Sequence, residues 1–188
     1  MQIRPTTLAG VVLIEPTIHR DARGFLFESY RADKLASLGI PPFVQENQSL
    51  SSKDTLRGLH FQQIRPQAKL VRVLRGAIFD VAVDIRVGSP TFGRWAGQTL
   101  SADNGLQLYI PAGFAHGFVA LEDACEVLYK CSDYYSGPAD QKGVAWDDPT
   151  LAIAWPCRTP LISPKDAALE RLHQGRTDLP KYQTPSHG

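Results

Sequence analysis

The chain has 188 residues and only three cysteines, Cys125, Cys131 and Cys157. Their number is odd and no CxxC occurs, so neither a disulfide framework nor a zinc knuckle is supported; three reduced thiols are expected. Charge of one sign is also missing. Twenty basic residues stand against 19 acidic ones, a net charge of +1, which gives no reason to expect the basic face of a dedicated nucleic-acid binder. No apolar run approaches the roughly 18–20 residues of a membrane span. The segment Met1–Ile14 carries no signal-peptide core. A cytoplasmic protein with neither nucleic-acid nor membrane partners is expected. Neither GxGxxG nor a P-loop is present, so no glycine-rich phosphate cradle is in view. Internal repeats and low-complexity blocks are absent.

What is present is β punctuation. Fifteen glycines and 14 prolines are scattered along the chain. Between them lie short runs rich in Val, Ile, Phe and Tyr: 10–15, 24–30, 68–75, 77–85, 95–100, 106–110, 117–121 and 126–129. Short, regularly spaced strands with turn signals predict an antiparallel sandwich or barrel. Alternation is clear from Lys69 to Arg75 and resumes after Gly76 as far as Asp84, so Arg75-Gly76 is a tight turn or a corner. Two helices are expected, Arg31–Leu38 before Gly39 and Ser163–His173 before Gly175. The second has Ser163 as N-cap, Pro164 at its first position and Asp166 in its first turn. One domain over 1–176 and a loose polar tail over 177–188 complete the expectation.

Five polar residues are out of place in strands or loops that are otherwise core-like: His60, Lys69, Asp80, Asp84 and His116. Each alone reads as a surface residue or a satisfied core group. Together in one small barrel they call for partners or a purpose, because buried charges are costly when unpaired.

The stretch Pro111-Ala112-Gly113-Phe114-Ala115-His116 resembles the second signature motif of the cupins. That resemblance implies an all-β, double-stranded β-helix (cupin, jelly-roll) barrel with a few short peripheral helices. Where cupins place a His-x-His metal motif, this chain reads His60-Phe61-Gln62. Two histidines fall short of the three protein ligands of a catalytic metal site, so no metal is expected. A closer resemblance runs from about Ile3 to Ala168. The segments Asp21–Glu28, Gln45–Ser49, Leu56–Gln62, Lys69–Val73, Phe79–Arg86, Pro111–Phe118, Tyr129–Tyr135 and Ser163–Asp166 are similar, in order, to the dTDP-4-dehydrorhamnose 3,5-epimerase family. The resemblance implies a metal- and cofactor-independent epimerase acting at C3 and C5 of dTDP-4-keto-6-deoxy-D-glucose, on the route to dTDP-L-rhamnose. It also implies a homodimer with an exchanged N-terminal segment.

The chemistry suits such residues. Both carbons flank a ketone, so a base on one face, an acid on the other and positive charge near the developing enolate suffice. By resemblance, His60 is the base and Asp166 orients it, although a first-turn acid is also explained by the helix dipole. Tyr129 is the acid, Lys69 stabilises the enolate, and Asp80 is expected to pair with Lys69 across neighbouring strands. The binding positions implied are Arg23, Glu28, Gln45, Asn47, Arg57, His116, Tyr135 and Lys165, with Arg23 and Glu28 supplied by the partner subunit. Two stretches depart from the family pattern, 61–68 and 136–141, the second with no clear acid near Gln141. Both are expected at the pocket rim. A mono-epimerase acting at C3 or C5 alone is the alternative. A non-catalytic or metal-binding cupin is a more remote one.

Overall fold

The computed structural model describes residues 1–183 and shows the expected jelly roll. Strands β1 (Gln2–Pro5), β2 (Val12–Glu15), β5 (Gln45–Ser51), β7 (Lys69–Arg75), β10 (Gln107–Ile110) and β12 (Cys125–Cys131) form one sheet, ordered β1-β2-β10-β7-β12-β5. Strands β6 (Leu56–Gln62), β8 (Ala77–Asp84), β9 (Trp95–Ser101), β11 (Phe114–Ala120) and β13 (Gln141–Gly143) form the second, ordered β13-β6-β11-β8-β9. A separate hairpin joins β3 (His19–Asp21) to β4 (Gly24–Leu26). Two short helices, α1 (Ala32–Ala36) and α2 (Pro164–Ala167), lie outside the sheets.

The Arg75-Gly76 junction is a corner rather than a hairpin. It carries the chain from the first sheet to the second, with Gly76 at φ +75°, where a side chain would press on Cys125 Sγ at 2.7 Å. The alternation on either side is therefore read by two different environments. Val71 and Val73 meet Ile78 and Ala82 inside the sandwich. The other face of β8, with Val81 and Val83, is also covered. It packs with Leu59, Phe61, Val144, Leu151, Leu172 and Leu179 beneath the segment that follows β13. Each such fully buried aliphatic side chain contributes about 1.5–3 kcal/mol.

Both helices are shorter than the sequence pattern predicts. Ser163 does cap α2, its hydroxyl accepting the Asp166 N–H at 3.0 Å, with Pro164 at the first position. The helix stops after one turn because the next residues pair elsewhere: Ala145 N–H donates to Glu170 O, and Leu172 N–H to Asp148 Oδ2 at 2.6 Å. Tertiary hydrogen bonds and burial of Leu172 outweigh helix propensity. The expected loose tail is packed over 177–183. Leu179 is buried, Val87 N–H donates to Pro180 O, and Tyr182 N–H donates to Val87 O. Residues 184–188 of that tail lie outside the described residues.

The ladder between β6 and β11 contains the fold's key irregularity. His116 faces His60 and Phe118 faces Arg57, so two residues of β11 oppose three of β6. This is a β-bulge. In a regular strand, residues three apart point to opposite faces; here His60 and Arg57 both line the interior cavity. Gly58 makes the bulge possible. It sits at φ +124°, and a Cβ there would lie 2.5 Å from Gly117 Cα and 2.8 Å from His116 O. Gly58→Ala should therefore combine overpacking with backbone strain and cost about 2–4 kcal/mol of stability. Gly88→Ala, also at positive φ but with no atom near its Cβ, should cost about 1 kcal/mol. Denaturant midpoints of the two variants compare them, and equal losses would contradict the close-approach explanation.

Candidate active site

The interior of the sandwich changes character along its strands. On β7 the inward side chains run Val73, Val71, Lys69; on β12 they run Cys125, Val127, Tyr129. The polar end opens into a cavity of about 510 Å³ lined by His60, Lys69, His116, Phe118, Tyr129, Arg57 and Asp166, among others. A second lobe of about 250 Å³ shares His60, Lys69, Tyr129 and Gln141 and adds Gln45, Asn47 and Tyr135. The two sheets contribute opposite walls: His60 and His116 from β6 and β11, Lys69 and Tyr129 from β7 and β12.

His60 is held from behind. Its Nε2 lies 2.7 Å from Asp166 Oδ1, and the other carboxylate oxygen accepts the Gly58 N–H at 3.3 Å. Burial would raise the Asp166 carboxyl, but the hydrogen bonds from His60 and Gly58 outweigh it and hold the group below its ordinary value. Asp166 is thus a carboxylate that fixes the imidazole's tautomer and orientation.

A second dyad lies beside the first. His116 Nε2 is 2.6 Å from Asp80 Oδ1. The expected pairing of Asp80 with Lys69 across neighbouring strands is not what the structure shows. Their strands belong to different sheets, and Asp80 is committed to His116 beneath the cavity wall. Lys69 still feels Asp80 across the gap. Burial pushes its ammonium below the usual lysine value, opposed by the nearby Cys131 and Asp80. Asp84, on the same strand face as Asp80, is structural: Arg86, Ser89 and Thr91 all donate to its carboxylate. Burial raises the Tyr129 phenol; Cys131 adds to this and Arg57 opposes it. Among the described residues, no three His, Cys, Asp or Glu side chains converge as metal ligands.

Arg57 donates to Ser51 Oγ at 3.0 Å and to Leu50 O at 3.1 Å. Lys165 donates to Gln141 Oε1 at 3.1 Å. Gln45 accepts the Tyr135 N–H and donates to Asn47 Oδ1, tying the second lobe together. Arg23 and Glu28 are not brought to the cavity of a single chain. Arg23 pairs with Asp21 at the tip of the exposed β3–β4 hairpin, its side chain 90% exposed, and Glu28 pairs with Lys34 and Arg31. Sequence reasoning missed Ser49 and Phe118 as lining residues, while Gln141 closes the 136–141 stretch expected at the pocket rim. Ser49 had a legible signal, since Gln45, Asn47, Ser49 and Ser51 alternate, though as a polar stripe.

The dTDP-4-dehydrorhamnose 3,5-epimerase family model matches residues 5–174. The chain belongs to this family of isomerases. It is 54% identical over 170 residues to the dTDP-4-dehydrorhamnose 3,5-epimerase of Neisseria gonorrhoeae, covering 89% of this chain and 52% of that protein. The chain thus spans about half the length of that relative. It is 42% identical over 189 residues to the dTDP-4-dehydrorhamnose 3-epimerase of Streptomyces niveus, covering 98% of this chain and 91% of the relative. The crystal structure of the dTDP-6-deoxy-D-glucose-3,5-epimerase of Legionella pneumophila, in complex with dTDP-4-keto-L-rhamnose, superposes with a TM-score of 0.93 at 48% identity. That match covers 97% of this chain and 99% of the other.

The depressed Asp166 carboxyl sets a pH dependence. Its contribution to stability is complete above the unfolded value, about 3.9, and is lost as pH falls through the lower folded value. An Asp166→Asn variant should lose less thermal stability than the parent as pH falls below about 4. An equal or steeper loss in the variant would mean that Asp166 is not the acid-sensitive group described.

Proposed function

We propose that this epimerase converts dTDP-4-keto-6-deoxy-D-glucose to dTDP-4-keto-L-rhamnose, inverting C3 and C5 through enolates with no metal or cofactor. The observation that carries this reading is that His60 and Tyr129 come from opposite sheets and face one shared cavity, with Lys69 beside Tyr129 on the adjacent strand. A 4-keto sugar ring between those walls has a base on one face and an acid on the other.

In this reading His60 removes the proton next to the ketone, and Asp166 stabilises the imidazolium that forms. The electron pair moves onto O4, where the Lys69 ammonium meets it. Burial makes Lys69 readier than usual to lose its proton, but the new anion on O4 favours the charged form, so the stabilisation grows as the enolate develops. Tyr129 returns a proton to the opposite face of the carbon. Its raised phenol value suits this step, because the carbanion it protonates is far more basic. His116, Arg57, Gln45, Asn47, Tyr135 and Lys165 bind the sugar nucleotide, and Asp80 positions His116. The enzyme works as a cytoplasmic homodimer in which Arg23 and Glu28 of each chain complete the other chain's site. The reach of the β3–β4 hairpin supports this, for it exposes Phe25 (60%) and Leu26 (75%) beside Arg23. Inversion at C3 alone is the second reading, favoured by the similarity to the Streptomyces niveus 3-epimerase.

Incubation of the enzyme with the 4-keto-6-deoxyglucose nucleotide in D2O should place deuterium at both C3 and C5, read by NMR and mass spectrometry. Label at C3 alone selects the second reading, and no label rejects both. His60→Ala should abolish exchange at both carbons, with kcat down by about 10²–10⁴-fold. Tyr129→Phe should slow product formation more than proton removal. Near-normal turnover by His60→Ala would refute the base assignment.

Mixed dimers test the exchange. Arg23→Ala and His60→Ala chains, each weak alone, should regain up to about a quarter of parental turnover when reassembled together, because one site in four then holds both native residues. No recovery above the separate variants would place Arg23 in its own chain's site or outside any site.

A further inference from the structure

The two stretches that depart from the family pattern meet beside the second lobe of the cavity. Residues 63–68 cross from β6 in the second sheet to β7 in the first, and residues 132–140 cross back from β12 to β13. The first crossing thus joins the strand bearing His60 to the strand that begins at Lys69. Its base is fixed beside β12, where the Ala68 N–H donates to Ser132 Oγ at 2.8 Å and the Ser132 N–H to Ala68 O at 3.0 Å. Its apex is held by a single residue of the other crossing. The Gln63 N–H donates to Asp140 O at 3.1 Å, the Ile64 N–H to Asp140 Oδ1 at 2.5 Å and the Arg65 N–H to Asp140 Oδ2 at 3.4 Å. The Ser136 hydroxyl also donates to that carboxylate. Asp140 is buried, whereas the apex has no apolar anchor: Ile64 is 74% exposed, and the ion pair of Arg65 with Asp133 lies partly in solvent. Gln62 and Gln67 flank the apex, Tyr135 lies on the opposite crossing, and all three line the second lobe.

We propose that Asp140 is a positioning residue for ligand binding: by clasping the apex of one crossing to the other, it sets the wall of the second lobe before a nucleotide sugar enters. This rests on the reading above that the ligand is a dTDP-sugar. Three backbone donors and a hydroxyl converge on one buried residue, so removing its side chain leaves the apex to be ordered by the ligand itself. That ordering opposes binding. Chemistry is spared, because His60, Lys69 and Tyr129 sit on strands and the bound ligand restores the wall.

The test uses dTDP-glucose, a nucleotide sugar with no C4 ketone to enolise, for calorimetric binding, and the 4-keto-6-deoxyglucose nucleotide for turnover. Wild type, Asp140→Ala and Asp140→Asn are compared, with the fold of each checked by thermal melting. Asp140→Ala should bind dTDP-glucose about tenfold more weakly, with a less favourable entropy, and raise KM in parallel while kcat stays within about twofold. Asp140→Asn keeps the shape and can still accept the Ile64 N–H, so it should stay within about threefold of wild type. In the free wild-type protein the Ile64 and Arg65 amides should already be protected from hydrogen exchange, and dTDP-glucose should change their exchange by less than about threefold. The proposal is overturned if Asp140→Ala binds within about twofold of wild type, or if its kcat falls as far as its KM rises. It is also overturned if Asp140→Asn is as weak as Asp140→Ala, or if the two amides exchange freely until ligand binds. The exchange measurement decides the matter even where Asp140→Ala does not fold. Failure of the wild-type protein to bind dTDP-glucose would overturn the nucleotide reading, and the role in ligand binding with it, whereas free exchange of Ile64 and Arg65 in a protein that does bind overturns the clasp alone.

Discussion

The close approach of two backbones, Gly58 on β6 and Gly117 on β11, is the constraint from which the site is built. Neither position has room for a side chain: a Cβ at Gly117 would lie 2.7 Å from Arg57 O. The approach lets β6 carry one residue more than its partner strand, and the bulge turns Arg57 and His60 to the same side. It also frees the Gly58 N–H from the ladder. That donor is taken up by Asp166, the same carboxylate that holds His60. One irregularity thus sets the direction of the imidazole, the placement of a guanidinium beside it, and the anchor for the segment bearing α2.

The rest of the architecture supplies rigidity around that point. The five-stranded sheet is buried on both faces, by the opposing sheet and by the chain that follows β13. Asp166 arrives within this covering segment. Its helix is only one turn long, capped by Ser163 and cut short where the backbone pairs with Ala145 and Asp148. The acid is therefore held by tertiary hydrogen bonds. A helix this short has little macrodipole to offer a carboxylate.

Polar groups inside the sandwich are mostly paired before any ligand arrives. His60 has Asp166, His116 has Asp80, and Arg57 has Ser51 and a backbone carbonyl. Lys69, Asp80 Oδ2 and Ser49 Oγ are exceptions. Lys69 is buried opposite Asp80 with no hydrogen-bonded partner among the described residues, and Asp80 Oδ2 and Ser49 Oγ are likewise buried without one. An incompletely satisfied buried ammonium is costly, and an anion beside it offsets that cost.

Much of this was legible from residues alone. Alternation from Lys69 through Asp84 describes two strands and a corner, and His60, Lys69, His116 and Tyr129 stand out in the sequence or match by resemblance. Side-chain period and glycine placement are local properties, so a linear reading reaches them. Strand β5 was missed because its inward face is the polar stripe Gln45, Asn47, Ser49, Ser51, which carries no hydrophobic signal. The partner of Asp80 was misjudged because strands consecutive in the chain lie in different sheets here. Gln141 was legible only as part of the rim stretch 136–141, because its hydrogen bond with Lys165 spans 24 residues. The sequence by itself determined the fold class, the family and the kinds of chemistry available. Only the tertiary structure decided which carboxylate holds which histidine and which cations remain unneutralised, because those pairings join residues far apart in the chain whose meeting depends on the order of strands.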